Sequence, residues 1–129
     1  MSKYILAVDD DPAISDLVKQ NLEDAGYQVF VANDGKEAER YLNAMSFDLL
    51  VTDIFMPEKD GLELLQKLRQ KNRGLKIVAM SGGGGTFAPD VFLKMAKKLG
   101  AQRTFEKPFD WKEFVAAVRE LLDETQDVR

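Results

Sequence analysis

Cysteine and histidine are both absent from the 129 residues. Without them the chain cannot run thiol chemistry, use imidazole as a base, or hold zinc in the usual nitrogen and sulfur sites. No disulfide framework calls for an oxidising compartment. No apolar run approaches the ~18–20 residues of a membrane span, and the N-terminus lacks the basic flank and cleavage site of a secretory signal. A cytoplasmic protein without a membrane partner is the expectation. Excess positive charge is missing too: 18 basic residues face 22 acidic ones, for a net charge of −4. That balance argues against direct DNA binding, which needs clustered basic residues. Carboxylates, lysines and hydroxyls are what remain for chemistry. With 45% hydrophobic and 31% charged residues the composition is globular, and the length suits one core rather than two. The expected organisation is one domain over 1–124 and a short tail over 125–129.

Five apolar runs alternate with amphipathic segments. "KYILAV" (3–8), "QVFVA" (28–32), "DLLVT" (48–52), "LKIVAM" (75–80) and a short "RTF" (103–105) read as strands. The first, third and fourth are nearly continuous in apolar residues, as expected of strands covered on both faces. Between them, Ile14, Leu17, Val18 and Leu22 recur at helical spacing, with Ala25-Gly26 as a stop. Ala38, Tyr41, Leu42 and Met45 do likewise, as do Leu62, Leu65 and Leu68. The last segment carries Trp111, Phe114, Val115, Val118, Leu121 and Leu122. The pairs Asp34/Glu37, Asp60/Glu63 and Asp110/Glu113 have the spacing of capping boxes, which makes those acids structural. Such alternation predicts an α/β fold, a flavodoxin-like (βα)5 unit. Its five-stranded parallel sheet has the order 2-1-3-4-5, with helices on both faces.

Open α/β sheets bind ligands beyond the carboxyl ends of their strands. After the first strand come Asp9, Asp10 and Asp11; after the third, Asp53; after the fourth, Ser81; past the fifth, Lys107 and Pro108. In the order 2-1-3-4-5 those ends are neighbours. Asp11 precedes Pro12 and is explained as a helix cap. Asp9, Asp10 and Asp53 are not so explained. Three carboxylates on adjacent strand ends repel unless a cation joins them, and oxygen-only ligands suit Mg²⁺. With Mg²⁺ and Lys107 the formal charges cancel, and the site is ready for an anion such as a phosphoryl group.

At these positions the sequence resembles the receiver domains of two-component response regulators over essentially its whole length. The resemblance rests on "VDDDP" (8–12), "DIFMPEKDG" (53–61), "MSG" (80–82) and "FEKPF" (105–109), each at a strand end. It implies a stand-alone response regulator with Asp53 as phosphoacceptor. Asp9, Asp10, Asp53 and the backbone carbonyl of Phe55 would bind Mg²⁺. Lys107 would contact the phosphoryl oxygens, Ser81 would move to hydrogen-bond the phosphorylated side chain, and Phe105 would change rotamer. The Lys107–Pro108 bond would be cis. Because the chain has no histidine, the phosphoryl group must come from a partner, a sensor histidine kinase or a histidine phosphotransfer protein, or from a small phosphodonor. The resemblance also implies a downstream protein bound through the fourth helix, fifth strand and last helix. Promoting only its own phosphorylation and dephosphorylation, such a chain is a signalling phosphoacceptor rather than an enzyme.

Two stretches are individual to this chain, and the fourth helix leaves a choice open. The run "SGGGG" (81–85) fails as a nucleotide loop, since no lysine and hydroxyl follow at P-loop spacing; it reads as a loose loop that acquires an ordering cost on activation. Phe55 and Gly83 carry no polar group to orient an attacking water, which predicts a long-lived phosphorylated form. The fourth helix has two apolar stripes, Val91/Met95 and Phe92/Ala96/Leu99, to be read as one wide buried face or as a buried stripe beside a partner surface. Rival functions are weaker. A phosphohydrolase of the haloacid dehalogenase type wants a second aspartate where Phe55 stands. A flavodoxin-like FMN site would put the cofactor phosphate against the aspartates after the first strand. A receiver-like interaction scaffold working without phosphorylation is the remaining alternative.

Overall fold

The computed structural model describes residues 2–54, 61–71, 74–81 and 89–123, apart from the side chains of 61, 62, 69–71, 89, 90, 92 and 93. Among the described residues strands and helices alternate: β1 (Tyr4–Val8), α1 (Pro12–Asp24), β2 (Gln28–Ala32), α2 (Gly35–Ala44), β3 (Leu49–Asp53), α3 (Gly61–Lys71), β4 (Lys76–Ser81), α4 (Pro89–Lys98), β5 (Arg103–Glu106) and α5 (Trp111–Asp123). The strands form one parallel sheet in the expected order β2-β1-β3-β4-β5.

Strand side chains alternate between two cores, which is why the central strands need apolar residues at consecutive positions. Leu6, Val8, Leu50, Ile77 and Ala79 pack on one side against Ala38 of α2, Leu64, Leu65 and Leu68 of α3, and Ala96 of α4. Ile5, Ala7, Leu49, Val51, Val78 and Met80 pack on the other against Val18 and Leu22 of α1 and Phe114, Val118, Leu121 and Leu122 of α5. Each of the Val, Leu, Ile, Met and Phe side chains among them contributes about 1.5–3 kcal/mol when fully buried. No helix among the described residues is long and apolar enough to cross a membrane.

The helix ends follow their sequence signals. The Asp11 side chain accepts from the Ala13 backbone N–H, with Pro12 opening α1. Gly26, at φ +104°, supplies the left-handed turn after α1 that a side chain would resist. Asp34 accepts from Glu37 N–H, but the return bond from Glu37 reaches the N–H of Asn33 rather than that of Asp34. At α5, Asp110 accepts from Lys112 N–H, one residue short of Glu113. Asp60, Phe55, the glycine run 82–85 and the tail 125–129 lie outside the described residues.

One reading needs correction, and one open choice is narrowed. Asp53 and Ser81 do not follow β3 and β4; they are the last residues of those strands, because the ladder continues through Asp53↔Met80 and Ser81↔Glu106. On α4, Ala96 is buried and Leu99 packs against the same core, whereas Val91 and Met95 are 44% and 46% exposed; the side chain of Phe92 lies outside the described residues.

Candidate functional site

The parallel register brings the ends of β1, β3, β4 and β5 to one edge of the sheet. Val8 lies opposite Thr52, Asp53 opposite Met80, and Met80 opposite Phe105. Asp9 therefore leaves β1 beside Asp53. Its N–H donates to the Ala32 carbonyl at 3.2 Å, and its Oδ1 accepts from Asp11 N–H at 2.9 Å. The Asp53 backbone is held as firmly: the Thr52 hydroxyl donates to its carbonyl at 2.9 Å, and Ile54 N–H donates to the Met80 carbonyl at 2.9 Å. Lys107 N–H donates to the Ser81 carbonyl at 2.8 Å, so the chain leaves β5 pinned to the end of β4. The Lys107–Pro108 bond is cis, as expected.

From that position the lysine reaches inward. Its Nζ lies 2.7 Å from Asp9 Oδ2 and 3.2 Å from Asp53 Oδ2. Asp9 and Asp53 are only 1% and 5% exposed, and Ser81 is buried. Asp10 is exposed, and one oxygen from each of Asp9, Asp10 and Asp53 lies within 4.8 Å of the others. Burial pushes the Asp9 carboxyl above its usual range, with the neighbouring Asp10 charge adding to the shift; Lys107 and the Asp11 N–H oppose it without cancelling it. For Lys107 burial works against the ammonium, yet the hydrogen bond to Asp9 and the charge of Asp53 outweigh it and push its pKa up.

The described residues thus bring together Asp9, Asp10, Asp53, Ser81 and Lys107, while Phe55 lies outside them. Phe105 stands on β5, its ring 5.3 Å from Phe109 and 5.4 Å from Phe114. Sequence reasoning missed two contributors. Thr52, a lone hydroxyl in an apolar run, anchors the Asp53 carbonyl. A cavity of about 520 Å³ beside Lys107, lined by Ile14, Leu17, Pro108, Phe109 and Trp111, comes from segments distant in sequence. Three oxygen donors of one negative sign, two of them buried, form a donor set for a hard divalent cation; zinc or copper would want nitrogen or sulfur.

Comparison with known proteins agrees with this arrangement. The response regulator receiver domain family matches residues 5–119. The alkaline phosphatase synthesis regulator PhoP of Bacillus subtilis is 36% identical over 95% of this chain and 49% of its own length. CpxR of Escherichia coli is 37% identical over 92% of this chain and 48% of its own. The chain therefore spans about half the length of the curated relatives it matches. Among solved structures, a CheY-like receiver domain protein from Methanospirillum hungatei superposes with a TM-score of 0.88 at 32% identity, covering 98% of both chains. The response regulator TrrA of Thermotoga maritima, solved in complex with Mg²⁺ and BeF, superposes with a TM-score of 0.81 at 31% identity, covering 93% of this chain and 99% of that one. Fold, strand-end chemistry and relatives converge: this chain belongs to the receiver-domain family of two-component response regulators.

Proposed function

We propose that this receiver domain accepts a phosphoryl group on Asp53. The observation that carries the reading is the Lys107 ammonium between Asp9 and Asp53 at 2.7 and 3.2 Å, with Asp10 completing an oxygen cluster around the same point. An Asp53 carboxylate oxygen attacks the phosphorus of a partner's phosphohistidine. As the O–P bond forms the P–N bond breaks, and the imidazole leaves with the electron pair and takes a proton from water. Catalysis here is positioning and charge neutralisation. Strand β3 fixes the nucleophile, and Lys107 turns from the carboxylates toward the incoming phosphoryl oxygens. Asp9, Asp10, Asp53 and the Phe55 carbonyl are the residues that would hold Mg²⁺, which when bound offsets the charge of carboxylates and phosphoryl group.

The phosphorylated side chain carries new acceptor oxygens beside the Ser81 hydroxyl. Ser81 and Phe105 pass the change to α4, β5 and α5, where exposed Val91 and Met95 offer a surface to a downstream protein. The domain works as a signalling phosphoacceptor with a sensor kinase or histidine phosphotransfer protein as donor and makes no DNA contact of its own, consistent with its negative charge. The test is intact mass after incubation with acetyl phosphate. The expected result is a gain of one phosphoryl group that requires Mg²⁺ and is lost in Asp53→Asn. A gain that survives Asp53→Asn overturns the assignment.

A further inference from the structure

The sheet has an open edge at β2, which pairs with β1 on one side and lies at the end of the strand order. In a parallel ladder a residue turns both its peptide groups toward the same neighbour. Gln28 N–H donates to the Lys3 carbonyl and the Ala32 carbonyl accepts from Asp9 N–H, so Gln28, Phe30 and Ala32 face β1. Val29 and Val31 therefore point their N–H and C=O groups away from the sheet. They form the floor of a groove of about 670 Å³ between α1 and α2, walled by Asp16, Lys19, Glu23, Tyr27 and Tyr41.

One group already uses that floor. Lys19 Nζ donates to the Val29 carbonyl at 3.2 Å while it pairs with Glu23 at 3.2 Å. A side-chain ammonium stands where the N–H of a sixth strand would stand. It is displaceable, since both side chains of the pair are 44% exposed and exposed i,i+4 pairs are weak. When Lys19 swings out, it frees the Val29 carbonyl and leaves Glu23 without its cation, with the Asp16 carboxylate in the same groove. Lysines on edge strands are a common guard against unwanted pairing, and here the guard also shows the chemistry that its groove accepts.

We propose that the β2 edge is a peptide-binding site, distinct from the phosphoacceptor site, for an extended segment of a partner protein that carries lysine or arginine. The segment adds a strand beside β2, its main chain bonds Val29 and Val31, and its basic side chains replace Lys19 against Glu23 and meet Asp16 in the same groove. The charge of the groove selects this occupant over a second copy of the chain, whose β2 edge would bring the same two acids against these.

The probe is a five-residue peptide of alternating lysine and valine, blocked at both ends and titrated into the isotopically labelled chain. Binding shifts the amide signals of Val29 and Val31. Lys19→Ala, which vacates the Val29 carbonyl, binds about fivefold tighter, as expected for one competing hydrogen bond. Val31→Pro removes an outward N–H that the sheet does not use and abolishes binding. If that variant fails to fold, the same peptide N-methylated on its main chain, which cannot pair with the edge, answers the question on the wild-type chain by failing to bind. Equal binding of the N-methylated peptide, meaning charge attraction alone, overturns the proposal. So do shifts that arise on raising protein concentration without peptide, meaning that a second copy occupies the edge.

Discussion

Replacing Asp53 by asparagine should make the metal-free protein more stable. One oxygen from each of Asp9, Asp10 and Asp53 lies within 4.8 Å of the others, so at an effective dielectric of ~20 each pair of charges repels by about 3.5 kcal/mol. Asp53 takes part in two such pairs, about 7 kcal/mol in all. Against this stands its attraction to Lys107 at 3.2 Å, about 5 kcal/mol on the same scale. The surplus of repulsion is about 2 kcal/mol, and the exposure of Asp10 trims it toward about 1 kcal/mol. Relief of carboxylate desolvation acts in the same direction, and the asparagine oxygen still accepts from Lys107. For a chain of this length 1 kcal/mol corresponds to about 4 °C in melting temperature. Differential scanning calorimetry in EDTA should therefore show Asp53→Asn melting about 4–8 °C above wild type. Adding Mg²⁺ should close the gap, because a ligand at 100 times its Kd stabilises by about 2.7 kcal/mol and the variant lacks one of the three carboxylates proposed to hold the ion. The reasoning is refuted if the variant melts at or below wild type in EDTA, or if Mg²⁺ raises both by the same amount.

Three further outcomes follow from the structure. Phe114 is fully buried and packs against Phe105, Phe109 and Trp111, so Phe114→Ala should cost about 3–5 kcal/mol in urea unfolding; a loss below 1 kcal/mol would contradict that packing. The Lys107 pKa is raised in the folded state, so its charge stabilises the fold fully below the unfolded value of about 10.4 and loses that effect as pH rises through the folded value. The stability difference between wild type and Lys107→Met should accordingly be constant from pH 7 to 9 and shift against wild type above about pH 10.4, as read by denaturation at each pH. Phe55 and Gly83 carry no polar side chain; if they flank the phosphorylation site as the resemblance implies, the phosphorylated chain should persist for minutes to hours by intact mass, and a half-life of seconds would sink this expectation.

The sheet was legible because its central strands are covered on both faces, and such strands must be apolar at consecutive positions. The strand ends were legible for the opposite reason, since Asp9, Asp10 and Asp53 sit where burial is costly and nothing local explains them. The same local logic removed Asp11, whose side chain does cap α1. What the sequence hid is what depends on contacts between distant segments. The ion pair of Lys107 with Asp9 spans 98 positions, and the bond between Lys19 and the Val29 carbonyl depends on how α1 lies across the edge of β2. The fate of the two stripes on α4 was undecided for a similar reason, because periodicity marks apolar positions but not which of them find a neighbour. Even the last residues of β3 and β4 were misplaced by one, since polar side chains at Asp53 and Ser81 look like loop while their backbones still pair.

That one-residue extension would have a kinetic meaning. Because Asp53 is the last rung of β3, opposite Met80 and following the residue paired with Val8, its backbone has no arc to search. If Asp53 is the phosphoacceptor, as proposed, a donor would find the acceptor backbone already in place, and what remains to adjust would be side chains, Lys107 above all. Two donors of equal abundance would then be told apart mainly by how each docks and presents its phosphorus.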